Sequence, residues 1–415
     1  MCRFLLSAAF LFSGFVKAVD PKGTLFKFQD YMAAFGMPHL FSQGLLTCFV
    51  FALIVVEFLL GVYLFFGIKR RFTTSAVTLV MLFFTPFTLY LAIANPVSDC
   101  GCFGDAWVLS NWNTFYKNVI LLSAAIWLWL CRTRITPFVS AQGSWMISLY
   151  SFLFILGVSG YGMRHLPLFD FRPYYVGSYL PDKRHEVAPV YQTTYILEKG
   201  GVKREFSEAD YPDSSWTFVE SKNRVVSEGT SSPLHDLSLV RLSDGEEMAD
   251  SVLESKKGIF LLLFNHVEEA DDRDIDKMND LYDYACDKGY AFYGVTASGE
   301  RAIGEWNDRS GAEYPFCQAD EVLIKTIVRS NPGLLFIKNG TVLGKWSAGS
   351  FPDEEKMENY IQKMERLTPA QIHRHQVLAG WLCIVLLFFV PLLALTGIDR
   401  LASRKRRNLT QVKES

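Results

Sequence analysis

The sequence predicts an α-helical membrane bundle that carries an α/β domain inserted before its last span. Three observations predict this. Half of the 415 residues are hydrophobic and 15% are aromatic, which is too apolar for an ordinary soluble enzyme. The apolar residues fall in blocks at 4–19, 43–67, 74–95, 114–131, 144–162 and 377–397, and roughly 20 apolar residues cross a hydrocarbon core about 30 Å thick. Residues 164–375 hold most of the charge and contain no comparable block.

The first block is the shortest. Arg3, an apolar run and Val16-Lys17-Ala18 also fit a secretory signal with a small-residue cleavage site. Orientation follows from Lys and Arg near the span ends. Lys69-Arg70-Arg71, the pair Arg132 and Arg134, and the tail with Arg400, Arg404, Lys405, Arg406 and Arg407 fall on one side if the spans alternate. This expectation places both termini in the cytoplasm. It places loop 96–113 and residues 164–375 on the far face. The bilayer is then the first partner. The net charge of −2 carries no nucleic-acid signature. The basic tail reads as an orientation signal, with contact to anionic lipid as the alternative.

Of eight cysteines, Cys2, Cys48, Cys131 and Cys383 lie in or beside spans and read as small apolar residues. Cys100 and Cys102 lie in the loop Asn95-Pro-Val-Ser-Asp-Cys-Gly-Cys-Phe-Gly-Asp105. A bridge across one glycine is a tight ring that departs from relaxed geometry, and strain favours exchange over permanent cross-linking. Gly101 and Gly104 permit the turns this demands. A static or reduced turn fits equally. A metal would need two further ligands, and none is near in sequence, so no metal is assigned.

Glu57 is costly at mid-span and needs an interior partner; Lys17, at the outer end of span 1, is the expected one. An interhelical polar clamp and a proton or quinone site are both open readings. Lys117 and Asn118 open span 4, where they are expected to meet Asp99 or Asp105. Pro86 is expected to kink span 3.

Phe12-Ser-Gly-Phe-Val-Lys-Ala-Val-Asp-Pro21, Glu57-Phe-Leu-Leu-Gly61 and Asp99-Cys-Gly-Cys-Phe-Gly-Asp105 resemble the DoxX/DoxD and MauE group of bacterial membrane proteins, most specifically MauE. The resemblance covers residues 1–135. It implies a four-helix membrane core, location in the bacterial inner membrane, and a part in thiol redox or quinone-linked electron transfer that matures extracytoplasmic proteins. Residues 136–163 and 376–398 would add a fifth and a sixth span, and 399–415 a cytoplasmic tail.

In the charged region, Tyr191–Ile196 and Val202–Phe206 read as a hairpin about Lys199-Gly-Gly201, within a linker and small β insert at 164–230. From 231 to 370, strands alternate with helices. Strands are expected at 238–241, 258–264, 290–296 and 314–316, then a hairpin of 333–338 and 342–346 about Asn339-Gly340. Helices are expected at 271–288, around 303–306, at 321–329 and at 353–366. This order, with Ser232-Pro-Leu-His-Asp-Leu237, Asp244-Gly245 and Ser330-Asn-Pro-Gly333, resembles a thioredoxin-like fold of the TlpA and peroxiredoxin-like branch. The resemblance implies a cis peptide at Pro332 facing the active cysteines.

Where that family carries Cys-x-x-Cys, this chain has Asn265-His-Val-Glu-Glu-Ala-Asp-Asp272, without a thiol. Cys286 and Cys317 read as packed core residues. The domain therefore reads as a degenerate docking module, with Pro332 and His266 as candidate partner contacts; a surface loop histidine is the alternative for His266. The expected function is a cell-envelope thiol-redox or quinone-linked accessory factor acting through Cys100, Cys102 and Glu57. Lys17, Asp99, Asp105, Lys117 and Asn118 would be polar support, an extracytoplasmic protein a partner, and quinone the one cofactor considered. The rival is a non-catalytic scaffold that binds its partner through the inserted domain.

Overall fold

The computed structural model describes residues 1–37, 40–97, 100–183, 190–199, 202–207, 217–227 and 237–414. Asp99, the Gly200-Gly201 turn and the 232–236 part of the Ser-Pro-Leu-His-Asp motif lie outside the described residues.

The apolar blocks are helices: α1 (Cys2–Val19), α3 (Gln43–Phe66), α4 (Arg70–Ala94), α5 (Asn111–Leu130) and α6 (Ser144–Arg164). The last begins as α12 (Pro369–Ile384), widens through a π-turn at Val385–Phe389 and continues as α13 (Val390–Glu414). The chain is a multi-pass membrane protein. Five of these helices are long and apolar enough to cross a membrane. The exception is α5, because Asn111, Asn113, Thr114, Lys117 and Asn118 make its first turns polar. α4 stays helical through Pro86. A helix that no apolar block announced, α2 (Pro21–Ala34), follows α1 directly. Asp20 caps it by accepting from the Gly23 amide at 2.9 Å, and Pro21 fills a first-turn position that needs no donor.

Tight packing of α1 on α3 depends on two glycines. A Cβ on Gly14 would lie 2.7 Å from the Phe58 nitrogen, and one on Gly61 would lie 2.7 Å from that of Leu11. Small residues allow such backbone approach within a bilayer. The Ser7 hydroxyl donates to the Gly61 carbonyl at 2.9 Å. Arg3 donates to the carbonyls of Leu64 at 2.6 Å and Phe65 at 2.5 Å, where its charge complements the C-terminal end of α3, and to that of Thr136 in the loop before α6 at 2.8 Å. The other helix faces expose Leu79, Phe83, Ile93, Trp127 and Leu393, as lipid contact requires. Tyr150 on α6 donates to the Leu387 carbonyl within the π-turn.

Two sheets lie between α6 and α12. The small one is antiparallel, order β2-β1-β3, from β1 (Val190–Lys199), β2 (Val202–Ser207) and β3 (Thr217–Ser227). The large one has order β4-β7-β6-β5-β8-β9, from β4 (Val240–Arg241), β5 (Ile259–Phe264), β6 (Ala291–Thr296), β7 (Phe316–Gln318), β8 (Gly333–Lys338) and β9 (Thr341–Ser347). β5, β6 and β7 run parallel; β8 and β9 return antiparallel. The continuous apolar run of β5 is buried along its whole length, as a central strand covered on both faces must be. α7 (Ala249–Leu253), α8 (Ile275–Lys288), α9 (Glu300–Ser310), α10 (Glu321–Ile327) and α11 (Glu354–Glu365) complete the domain. Phe260, Phe264, Trp306 and Phe336 are among its most deeply buried side chains. The arrangement is thioredoxin-like, and the Asn331–Pro332 peptide is cis. Sequence patterning missed β3 and α7.

Candidate functional site

Pro96 cannot continue α4, and Asn95 caps the helix in the left-handed conformation. Asn111, at the start of α5, donates to the Asn95 side chain and to the Val97 carbonyl, each at 2.8 Å. The intervening loop turns at Gly101 (φ 62°) and Gly104 (φ 51°). These turns bring Cys100 Sγ and Cys102 Sγ to 2.7 Å as free thiols. Cys100 is buried and Cys102 half-buried.

Every element around the loop holds it. From α2, the Tyr31 hydroxyl donates to the Cys100 carbonyl at 2.6 Å. From α1, the Ser13 hydroxyl lies 2.8 Å from the Cys102 carbonyl and 2.9 Å from Glu57 Oε2. Lys17 Nζ donates to Ser13 Oγ at 2.8 Å and to both Glu57 oxygens at 2.9 and 2.7 Å. The expected Lys17–Glu57 pair is therefore formed, and it is buried. Phe103 packs edge-on to Phe12 and stacks on Trp107, and Lys117 Nζ lies 4.0 Å from its ring centre.

These surroundings separate the two thiols. The hydrogen bond from Cys100 holds Cys102 down to about 7, against the opposing effect of burial; Lys117 and Lys17 help, and Glu57 opposes them. The same hydrogen bond and burial push Cys100 well above the ordinary thiol range. Cys102 thus loses its proton more readily than Cys100, and the thiolate is the nucleophilic form.

Asp105 corrects an expectation. It pairs with Arg329, at 3.0 Å from Nη2, rather than with Lys117 or Asn118. Asn118 instead donates to the Thr88 hydroxyl at 3.2 Å. Arg329 also reaches Asp20 at 3.0 Å and caps α10 by donating to the Lys325 carbonyl at 2.6 Å. Lys22 donates to the Arg329 carbonyl at 2.8 Å, and Phe26 lies under both Lys325 and Arg329. Nearby, Asp170 joins Lys345 at 2.7 Å and Arg172 at 2.9 Å. Burial alone would raise the Asp170 carboxyl, but the two cations hold it well below the usual range. The loop that ends in Pro332 is thereby seated on α2 and on the cysteine loop.

His266 follows the C-terminal end of β5, next to the Asn331–Pro332 turn that enters β8. Its carbonyl accepts from Asn331 at 2.9 Å, and its ring lies 3.4 Å from Glu321. Cys317 is buried as expected, whereas Cys286 is exposed; it lies next to Ala285, but one step around α8 leaves the apolar face. Among the described residues no cluster of His, Cys, Asp and Glu could hold a metal.

Sequence reasoning missed Ser13, Tyr31, Asp20 and Arg329. Ser13 was findable: it lies one helical turn before Lys17, on the same face. Asp20-Pro21 is a helix-start signal that could have revealed α2 and with it Tyr31. Nothing local marks Arg329, whose partners are more than 200 residues away.

No curated protein matches the chain. Residues 191–228 match a model described as a Domain of unknown function (DUF8463). Solved structures with a similar fold include a secreted Mycobacterium tuberculosis disulfide oxidoreductase homologous to E. coli DsbE. It is 13% identical, with 31% of this chain and 96% of that one covered and a TM-score of 0.25. Another is an uncharacterized thioredoxin-like protein from Porphyromonas gingivalis, 15% identical, with 32% and 90% covered and a TM-score of 0.25. Residues 1–131 match the family model described as Methylamine utilisation protein MauE; of the two names in the expected resemblance this supports MauE, and the matched region is the one that holds the cysteine pair.

Proposed function

We propose that the protein is a cell-envelope thiol-redox factor whose working pair is Cys100 and Cys102, with both termini in the cytoplasm and the cysteine loop and inserted domain outside. The observation that carries the reading is the pair itself: two sulfurs 2.7 Å apart, one of them beside Lys117 and Lys17. The Cys102 thiolate attacks one sulfur of a partner disulfide. That S–S bond breaks, a Cys102–partner mixed disulfide forms, and the partner's other sulfur leaves and takes up a proton. Cys100 then gives up its proton and attacks Cys102 Sγ, which releases the second partner thiol. Two electrons have passed from the pair to the partner. The reverse sequence oxidises a partner dithiol, and a membrane quinone, taking two electrons and two protons, would reoxidise the pair.

The test is alkylation of intact cells with a mass-tagged maleimide, before and after reduction. The Cys100–Cys102 pair should change its tagging with the redox state of the medium, and a double serine variant should lose function. Tagging that never changes, together with a double variant that behaves as wild type, overturns the reading. Cys286 serves for orientation: it is exposed in the inserted domain, so an impermeant maleimide should reach it from outside.

A second reading is favoured by the loop ends at Pro332, where β5 finishes and β8 begins. The side-chain oxygens of Asn265 and Asn331 are buried there without a hydrogen-bond partner among the described residues. Such groups suit an arriving peptide N–H, so the domain would be a docking module for an extracytoplasmic protein. Deleting residues 237–366 separates the readings: loss of function with Cys100 and Cys102 dispensable favours docking alone.

A further inference from the structure

We infer that Ser13, Lys17 and Glu57 form a positioning unit that pins the loop at the Cys102 carbonyl and tunes the reactivity of the Cys102 sulfur. The inference rests on the redox reading above and deepens it. It begins with the geometry of the unit. The three donor contacts of Lys17 Nζ, to Ser13 and to both Glu57 oxygens, account for all three of its protons. Ser13 therefore accepts from Lys17. Its single proton has two acceptors within reach, Glu57 Oε2 at 2.9 Å and the Cys102 carbonyl at 2.8 Å. A pair that only clamped two helices would use the contact with Glu57 but would not need the one with the Cys102 carbonyl.

Stability does not account for the arrangement either. A buried ion pair is about as stable as well-packed apolar residues of the same volume, so keeping charge at this depth gains nothing for the fold alone. The contact is possible because α1 and α3 approach closely at Gly14 and Gly61. The unit then reaches the loop at Cys102, whereas Cys100 is held from α2, by the Tyr31 hydroxyl on its carbonyl.

Charge completes the argument. The groups that face the cysteine loop are Lys17 from α1, Lys27 and Tyr31 from α2, Glu57 from α3, Lys117 from α5, Cys100 and Asp105 in the loop, and Arg329 from the inserted domain. Within the unit, Lys17 favours a thiolate at Cys102 and Glu57 disfavours it. The two members of one ion pair therefore act on Cys102 in opposite senses.

That opposition is the test. The full-length protein in nanodiscs is alkylated with iodoacetamide across pH, and Cys102 modification is followed by peptide mass spectrometry. Lys17→Met should move the midpoint up by about one pH unit, a roughly tenfold slower reaction at pH 6. Glu57→Gln should move it down. Ser13→Ala should leave the midpoint in place and slow closure of the Cys100–Cys102 bond from a glutathione mixed disulfide, about tenfold for a lost hydrogen bond to a backbone carbonyl. If Lys17→Met does not fold, the K17M/E57Q double variant takes its place, and its midpoint should lie above that of Glu57→Gln alone. Midpoints that move the same way in the two single variants, or do not move, overturn the inference. The assay contains no partner protein. Opposite shifts alongside a functional C100S/C102S strain would sink the redox reading while leaving this role of the unit at Cys102 intact.

Discussion

Arg329 is the residue whose loss should do most to free the inserted domain from the bundle. Its side chain is 8% exposed and holds Asp20 and Asp105, each at 3.0 Å. Asp20 is 17% exposed and Asp105 44%, so the first pair is mostly desolvated and the second half-screened. Breaking a buried pair by removing one partner costs about 3–5 kcal/mol, and an exposed one contributes under about 1 kcal/mol. For Arg329→Ala we take about 3 kcal/mol, which at 1.4 kcal/mol per decade is a shift of about 10² in the docked-to-undocked ratio. Amide hydrogen exchange on the protein in nanodiscs measures it. Protection in peptides covering 21–34, 104–107 and 327–333 should fall by about that factor, and protection in β5 should stay. The D20N/D105N double variant keeps the cap that Arg329 places on α10 and should reproduce most of the effect. Unchanged exchange, or a loss spread evenly over β5 and the docking peptides, would refute the reasoning.

Three further outcomes are expected. Cys100→Ala removes the hydrogen bond that does most to acidify Cys102, so the alkylation midpoint of Cys102 should rise from about 7 towards that of an ordinary thiol. Gly14→Ala places a methyl 2.7 Å from the Phe58 nitrogen; prising α1 from α3 should cost about 1–3 kcal/mol in detergent unfolding and weaken the Lys17–Glu57 contact. Asp170 has a folded-state pKa below its unfolded value of about 3.9, so its stabilisation is present above that pH and is lost as pH falls below it. Asp170→Asn should therefore lower Tm at pH 6 and bring a smaller penalty at pH 3.

The sequence was legible where a local period or a covalent rule decides the outcome. Block length gave α1, α3, α4 and α6, and buried apolar runs gave β5 and β6. The resemblance to a thioredoxin-like fold, carried by Ser330-Asn-Pro-Gly333, implied the cis peptide at Pro332. It was legible at Glu57 as well, because a lone carboxylate at mid-span demands a cation and Lys17 was the candidate at hand. It failed where amphipathic or polar sequence is fixed by distant contacts. α2 mixes Lys22, Lys27 and Asp30 with aromatics and has no apolar period strong enough to announce a helix. The partner of Asp105 was sought nearby at Lys117 and Asn118, but chain proximity says nothing about a guanidinium 224 residues away. The missing Cys-x-x-Cys set the domain apart from its thiol-bearing counterparts, yet gave no hint of the contacts that Arg329 makes with Asp20 and Asp105.

The two ends of the inserted domain are continuous with α6 and α12, so its contact with the loop is intramolecular. Short tethers keep such a segment at an effective concentration in the millimolar range. A second protein that approached Asp20, Asp105 and the cysteine loop through the same face would compete with a resident that never diffuses away. It would need sub-millimolar affinity merely to share the site, or a surface that the Arg329 contact leaves uncovered. For a partner of the proposed redox reaction, the two carboxylates around one arginine would set a threshold for reaching the thiols, by tether length as much as by charge.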